Sequence, residues 1–141
     1  MIKVDPALCI GCLACSNVCP SKNIVRDDTI EKRTISWKKC GEECDLCVEF
    51  CPARALTLVA ESEETAIAFE LVACRICGTR YATEPILRRI EASLPEALQK
   101  DSSGLAWIWI CPVCRRNIEA ERATKQMVLG RSRSVMGDRD R

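Results

Sequence analysis

Histidine is absent from this 141-residue chain, and its absence excludes several kinds of chemistry at once. Zinc fingers with mixed cysteine and histidine ligands, Rieske-type clusters and histidine acid–base catalysis all need an imidazole. The sequence also contains no nucleophile–base pair, no phosphate-binding loop and no nucleotide-binding fingerprint. We therefore expect no catalytic residues, and the chain is not expected to be an enzyme on its own.

Long apolar runs are also missing. The longest apolar stretch, residues 105–111, is far shorter than the roughly 20 residues that cross a bilayer. Residues 1–6 do not form a basic segment followed by an apolar one, so no secretory signal peptide is indicated. These absences predict a cytoplasmic chain with no membrane span, in which the cysteines stay reduced.

Cysteine is the residue that the chain has in excess, with twelve copies. Such abundance is typical either of a secreted disulfide framework or of a protein that binds metals. The cysteines occur in clusters with the spacing of metal ligands, and no signal peptide precedes them. The sequence therefore favours metal binding over a disulfide framework.

Eight of the cysteines form two runs, each closed by a proline. The first run is Cys9, Cys12, Cys15 and Cys19 followed by Pro20, and the second is Cys40, Cys44, Cys47 and Cys51 followed by Pro52. A cubane [4Fe–4S] cluster needs four converging thiolates, and in the bacterial ferredoxin spacing the last cysteine of each run binds the other cluster. The alternative is a pair of zinc sites built from the same eight thiolates. Two unbroken runs favour the clusters.

The crossed rule assigns the ligands of both predicted clusters. Cys9, Cys12, Cys15 and Cys51 would bind cluster 1, and Cys40, Cys44, Cys47 and Cys19 would bind cluster 2. Two such clusters define an electron-transfer protein.

The second run departs from the usual spacing. Three residues, 41–43, separate its first two cysteines, where two are usual. The four sulfurs remain, so a cluster is still expected, but the amides that hydrogen-bond its sulfurs must be rearranged. Glu42, Glu43 and Asp45 also place negative charge beside these cysteines, which disfavours the addition of an electron. We therefore predict the lower reduction potential for cluster 2.

An internal repeat of about 32 residues relates the two runs. In each half we predict a short strand, a cysteine loop, a short helix and a return strand. The predicted strands are Ile2–Val4 and Asn23–Arg26 in the first half, and Thr34–Trp37 and Leu56–Ala60 in the second. Neither half is large enough to bury a core without the other. The sequence predicts an α+β, two-cluster ferredoxin fold with pseudo-two-fold symmetry over residues 1–62.

The other four cysteines form two separated pairs, Cys74 with Cys77 and Cys111 with Cys114. Two Cys-x2-Cys knuckles can together supply a tetrahedral site, as in a zinc ribbon. We predict a structural Zn²⁺ at this site, within a second domain over residues 63–127. Iron in a rubredoxin-like site, and a disulfide pair or vacant thiols, are the alternatives.

The pattern of this extension predicts its secondary structure. Residues 61–65 form a polar break, most simply a hairpin turn, before a strand at Ala66–Leu71. A helix should follow Thr83 as its N-cap and be interrupted or restarted at Pro95. The remaining predicted elements are a buried strand at Leu105–Ile110, a polar helix from Arg115 to about Met127, and a basic tail at 128–141 without regular structure.

Charge argues against binding to nucleic acid. The formal charge of the chain is +1, and two clusters and one zinc site with their thiolates would bring the assembled protein to about −5. A protein of that charge gains little from phosphate contacts.

The first 60 residues resemble the bacterial two-cluster ferredoxins through the two runs described above. The chain as a whole resembles the small iron–sulfur subunit of membrane-bound, energy-converting nickel–iron hydrogenases of the formate-hydrogenlyase and CO-linked types. That subunit is homologous to the two-cluster ferredoxin-like subunit of respiratory complex I. The segment that carries this wider resemblance is 73–78, Ala-Cys-Arg-Ile-Cys-Gly, followed by Tyr81 and Ile86.

This resemblance implies a place in a complex. Its partners would be the nickel–iron large and small subunits, an upstream iron–sulfur donor and, indirectly, a membrane arm. The chain would then be attached to the inner face of the cell membrane through these partners. The alternatives are an electron-transfer subunit of another oxidoreductase, linked to formate, CO or a 2-oxoacid, and a free soluble ferredoxin.

Overall fold

A computed structural model describes residues 1–40, 44–61, 63–101, 104 and 106–136, with side chains to residue 129. Helices and antiparallel strands are mixed along the chain, as the predicted α+β class requires. In the first half of the chain the elements are β1 (Ile2–Val4), α1 (Ala14–Val18), β2 (Ile24–Asp28), β3 (Lys32–Trp37), α2 (Leu46–Glu49) and β4 (Leu56–Leu58). Each of the four strands lies where the sequence predicted one.

These four strands pair between the two predicted halves. β1 pairs antiparallel with β4, in the register Ile2 to Leu58 and Val4 to Leu56. β2 pairs antiparallel with β3, in the register Ile24 to Trp37. Each half therefore completes its hydrogen bonding only through the other.

The core of this region lies between the strand pairs and the two short helices. Positions 4 and 35, and likewise 24 and 56, correspond by the shift of the predicted repeat, and all four are buried. Trp37 is also buried, and Cys15 and Cys47 pack in the same cluster. The cysteine-bearing helices α1 and α2 are thus held against the sheets by apolar contacts.

The second half of the chain continues one of these sheets. Its elements are β5 (Thr65–Ala73), β6 (Arg80–Thr83), α3 (Glu84–Ser93), α4 (Glu96–Gln99), a 3-10 helix (Trp107–Trp109) and α5 (Pro112–Met136). β5 pairs with both β3 and β6, which gives a four-stranded sheet in the order β2-β3-β5-β6. The hairpin predicted around 61–65 is therefore wrong, because β5 joins β3 instead of turning back on β4.

The apolar segment before Cys111 is helical where a strand was predicted. Bonds from Trp109 N–H to the Ala106 carbonyl and from Ile110 N–H to the Trp107 carbonyl close 3-10 turns. Ile108 and Ile110 are buried. Residue 105, the first of the predicted strand, lies outside the described residues.

The last helix is longer than the sequence predicted. It begins at Pro112, a residue suited to the first helical position, and continues to Met136. The predicted end at Met127 and the irregular structure expected immediately beyond it are therefore wrong. No helix in the described part of the chain combines the length and the apolar character needed to span a bilayer.

Candidate metal centres

Four cysteines from both halves line a first cavity. They are Cys9, Cys12, Cys15 and Cys51. Cys9 and Cys12 lie on the loop between β1 and α1, and Cys15 lies in α1. Within that loop Gly11 and Leu13 adopt positive φ values of 68° and 67°. The structure thus brings together the cysteines that the crossed rule grouped in cluster 1.

A second cavity is lined by the other four cysteines of the two runs, which are Cys19, Cys40, Cys44 and Cys47. Cys19 ends α1 and comes from the first half, whereas the others come from the second. Ile2 and Leu46 contribute apolar lining. Residues 41–43 lie outside the described residues, so the prediction about their charge and the potential of cluster 2 stays a prediction.

The first cavity is apolar apart from its sulfurs, and this raises the pKa values of its thiols. Burial is the largest cause of the rise to about 11 for Cys15, with the neighbouring Cys12 and Cys9 adding to it. Burial also raises the pKa of Cys9, and a hydrogen bond from the Gly11 backbone N–H is the main opposing effect. Such thiols ionise when a cation binds, because a metal deprotonates its coordinating thiols.

One buried donor at the first cavity is consistent with a bound cluster. The Trp37 side chain lines this cavity, and its indole Nε1 is buried with no hydrogen-bond partner among the described residues. The indole lowers the pKa of Cys15, so it lies toward the sulfur of that cysteine. Four converging thiols, an apolar wall and an unpaired N–H together suit an iron–sulfur cluster, whose sulfurs accept hydrogen bonds.

The second cavity shows the same electrostatic pattern. The pKa of Cys47 is raised, first by burial and then by the proximity of Cys19 and Cys44. These neighbours include the cysteine from the other half of the chain. The donor set therefore also fits a four-thiolate group.

A third group of cysteines comes together in the extension, with all four sulfurs within 4.8 Å of one another. Cys74 and Cys77 lie on the turn between β5 and β6, and Cys111 and Cys114 lie at the start of α5. The Cys77 and Cys111 sulfurs are 3.7 Å apart, well beyond the S–S bond length of about 2.05 Å, and all twelve cysteines are free thiols. Four sulfurs at this spacing suit one tetrahedral metal ion.

Backbone amides converge on one sulfur of this group. The Ile76 and Cys111 N–H groups donate to Cys74 Sγ at 3.4 and 3.2 Å. Burial raises the pKa of Cys74, but these amides and that of Cys77 together lower it to about 6. A thiolate is therefore already favoured at Cys74 near neutral pH, as a cation ligand requires.

Contacts around this site join the two knuckles to each other. Tyr81 donates its hydroxyl hydrogen to the Ile108 carbonyl at 2.6 Å, and Arg75 donates its backbone N–H to the Trp109 carbonyl at 3.1 Å. Arg75 also stacks over the Trp109 ring. Neither β6 nor the role of Tyr81 was predicted from the sequence, because the four residues of β6 show no clear alternation.

Comparison with known families supports the iron–sulfur interpretation. The family described as the 4Fe-4S dicluster domain matches residues 1–52, which contain all eight cysteines of the two runs. Comparison with curated proteins finds no match. The matched segment and the two cavities support a small, ferredoxin-like iron–sulfur protein.

Such a domain is typical of electron-transfer proteins and not of catalytic enzymes. The extension beyond residue 52 lies outside the match, and its four cysteines form a group that could bind a metal ion. Whether that ion is zinc stays a prediction.

Proposed function

We propose that this protein is the electron-transfer subunit of a membrane-associated nickel–iron hydrogenase complex, and that it relays single electrons through two [4Fe–4S] clusters. The observation that supports this proposal most directly is the pair of cavities, each formed by three cysteines of one run and the last cysteine of the other. When bound, each cluster would supply a one-electron redox centre.

The protein's own residues would bind the clusters and keep water away from them. Ile35, Trp37 and Leu56 wall the first cavity, and Ile2 and Leu46 wall the second. Apolar walls raise the cost of charge, so the amide N–H groups near the sulfurs are the main means of adjusting each potential. For example, Ala55 donates its N–H to Cys51 Sγ at 3.3 Å.

The metal site of the extension would not take part in electron transfer. Zinc has no redox states, so a Zn²⁺ bound by Cys74, Cys77, Cys111 and Cys114 would be structural. It would fix the β5–β6 turn to the start of α5. We infer that the extension docks this subunit to its partners, which would be the nickel–iron subunits, an upstream iron–sulfur donor and, indirectly, a membrane arm.

Purification of the native complex without oxygen, followed by metal and subunit analysis, tests this proposal. We expect about eight irons and eight sulfides per chain, one zinc, and co-purification with a nickel-containing subunit. Four irons would remove one of the two clusters, and a metal other than zinc would correct the third site. Co-purification with a formate, CO or 2-oxoacid enzyme without nickel would favour the alternative oxidoreductase, and isolation as a lone subunit would favour a free ferredoxin.

A further inference from the structure

Thr83 is the one polar residue among the fully buried side chains of the described residues, with an exposed fraction of 0%. It occupies the N-cap position of α3, where a threonine hydroxyl ordinarily accepts a hydrogen bond from the first turn of the helix. Thr83 makes no such bond. Its hydroxyl donates instead to the carbonyl oxygen of Ile10, at 2.6 Å and 73 residues away along the chain.

The methyl group of Thr83 contacts the same loop. A Cβ atom at Gly11 would lie 2.9 Å from Thr83 Cγ2 and 3.1 Å from the Phe69 ring. Gly11 also has a φ of +68°, which a side chain would disfavour. The loop between Cys9 and Cys12 therefore packs directly on the β5–β6 region, and glycine is what allows this close approach.

The peptide group between Ile10 and Gly11 connects this contact to a cluster ligand. The bond is trans, so the Ile10 carbonyl and the Gly11 N–H point in opposite directions within one rigid plane. The carbonyl is held by Thr83, and the N–H donates toward the sulfur of Cys9. Fixing one end of this plane fixes the other.

A second hydrogen bond from the extension lies beside the same cavity. Arg89 on α3 donates from Nη2 to the Pro52 carbonyl at 2.8 Å, immediately after Cys51. Both cavities are lined, within the described residues, only by positions before residue 57. The extension thus bonds the backbone next to two cysteines of the first cavity, Cys9 and Cys51.

We propose that Thr83 is a positioning residue for cluster 1, which raises the reduction potential of that cluster by holding the Gly11 N–H on the Cys9 sulfur. This inference rests on the proposed function, because it assumes a cluster in the first cavity. Hydrogen bonds to the ligand sulfurs stabilise the more negative, reduced cluster, so they raise its potential. The contacts of Thr83 lie on the loop between Cys9 and Cys12, so we expect its effect to be confined to cluster 1.

Two substitutions separate the hydroxyl of Thr83 from its shape. Thr83→Val keeps the methyl group against Gly11 and removes the donor, whereas Thr83→Ser keeps the donor and removes the methyl group. Thr124→Val is the matched control, since the Thr124 hydroxyl also donates to a carbonyl, that of Ala120, but on the exposed face of α5. Potentials of both clusters are measured in the full chain by redox titration with EPR, and Cys15→Ser identifies the signal of cluster 1.

For Thr83→Val we expect the reduced-to-oxidised ratio of cluster 1 to fall at least threefold at a fixed potential, which is a shift of about −28 mV at about 59 mV per tenfold change. Cluster 2 should not shift, and Thr83→Ser and Thr124→Val should behave as the unmodified protein. Selective loss of cluster 1 iron in Thr83→Val would also support the proposal. An unchanged potential, equal shifts at both clusters, loss of both clusters, or equal behaviour of the Val and Ser variants would overturn it. Unmodified protein without any cluster signal would instead overturn the proposed function itself.

Discussion

Cys19 and Cys51 are the two residues that distinguish crossed ligation from two separate sites. Each closes one run in the sequence, and each lines the cavity formed mainly by the other run. The exchange is possible because the strands also pair between halves, which brings the end of each short helix next to the opposite loop.

We expect Cys19→Ser to damage cluster 2, whose other ligands are Cys40, Cys44 and Cys47, and to spare cluster 1. The reason is that a serine oxygen is a poorer ligand for a cluster that otherwise takes four thiolates. EPR of the reduced protein, with iron analysis, gives the measurement. Cys51→Ser is the matched variant and should have the opposite pattern, and loss of cluster 1 in Cys19→Ser would contradict the crossing.

The contact of Thr83 with the loop at Gly11 shows where residue-level prediction reached its limit. The spacing within each cysteine run is a local property of the chain, and together with the crossed rule it predicted which sulfurs share a cavity. The sequence also placed Thr83 correctly before α3. It could not predict that the Thr83 hydroxyl bonds Ile10, since that contact depends on how the sheet folds the extension back onto the first loop.

The β5–β6 hairpin and the start of α5 are the elements that hold the third group of cysteines. Two of its thiols ionise very differently without metal. Burial raises the pKa of Cys74, but amide donors lower it to about 6, whereas a hydrogen bond with Cys77 is the main cause that raises the pKa of Cys114 to about 12. Between these values Cys74 is a thiolate and Cys114 keeps its proton.

Metal binding at this site should therefore become more dependent on pH below about pH 6. Above that value binding need not displace a proton from Cys74, but below it this sulfur is also protonated, so one more proton must leave. We expect the slope of log affinity for Zn²⁺ against pH to increase below about pH 6 in chelator-competition titrations. Cys74→Ser, which lacks this thiolate, should show no such change, and a constant slope in the unmodified protein would contradict the prediction.

The elements of the extension were harder to predict than those of the first half. Strand β5 has a clear run of apolar and β-branched residues, and it was predicted. The segment 107–109 has equally strong strand character, but its indole N–H groups bond elements that are distant in sequence. Trp107 donates to the Leu98 carbonyl and Trp109 to the Glu91 carboxylate, at 2.7 and 3.1 Å. These tertiary contacts favour a 3-10 turn over the extended conformation that the local sequence prefers.

At the scale of the whole molecule, the four-stranded sheet crosses the boundary predicted at residue 62. β5 supplies six register pairs to β3, from Lys32 with Glu70 to Trp37 with Thr65. Its Phe69 side chain is buried in the same cluster as Cys15 and Cys47. The division into a ferredoxin domain and a separate extension therefore does not match a break in the sheet.

A chain that ends after residue 62 should lose stability and iron together. Without β5 the edge of β3 is exposed and the core lacks Phe69, whose loss alone corresponds to about 3–5 kcal/mol in typical cores. We expect a lower urea midpoint and fewer than eight irons per chain after anaerobic reconstitution. A chain that ends after residue 129 keeps both sheets and all twelve cysteines, so it is the control. An unchanged midpoint and full iron content in the shorter chain would show that the first 62 residues fold independently.

The exchange of cysteines between halves also sets the order in which the sites can be completed during synthesis. A ribosome adds about 5–20 residues per second, so Cys9, Cys12 and Cys15 wait about 2–8 s for Cys51. The second set is completed by Cys47, which is added about four residues before Cys51, and Cys19 has already been made by then. Both sites thus gain their last ligand within about one second of each other. During the wait the nascent chain carries one three-thiol site, which is open to oxidants and to other thiophilic metals, and insertion of iron must follow translation of the second run.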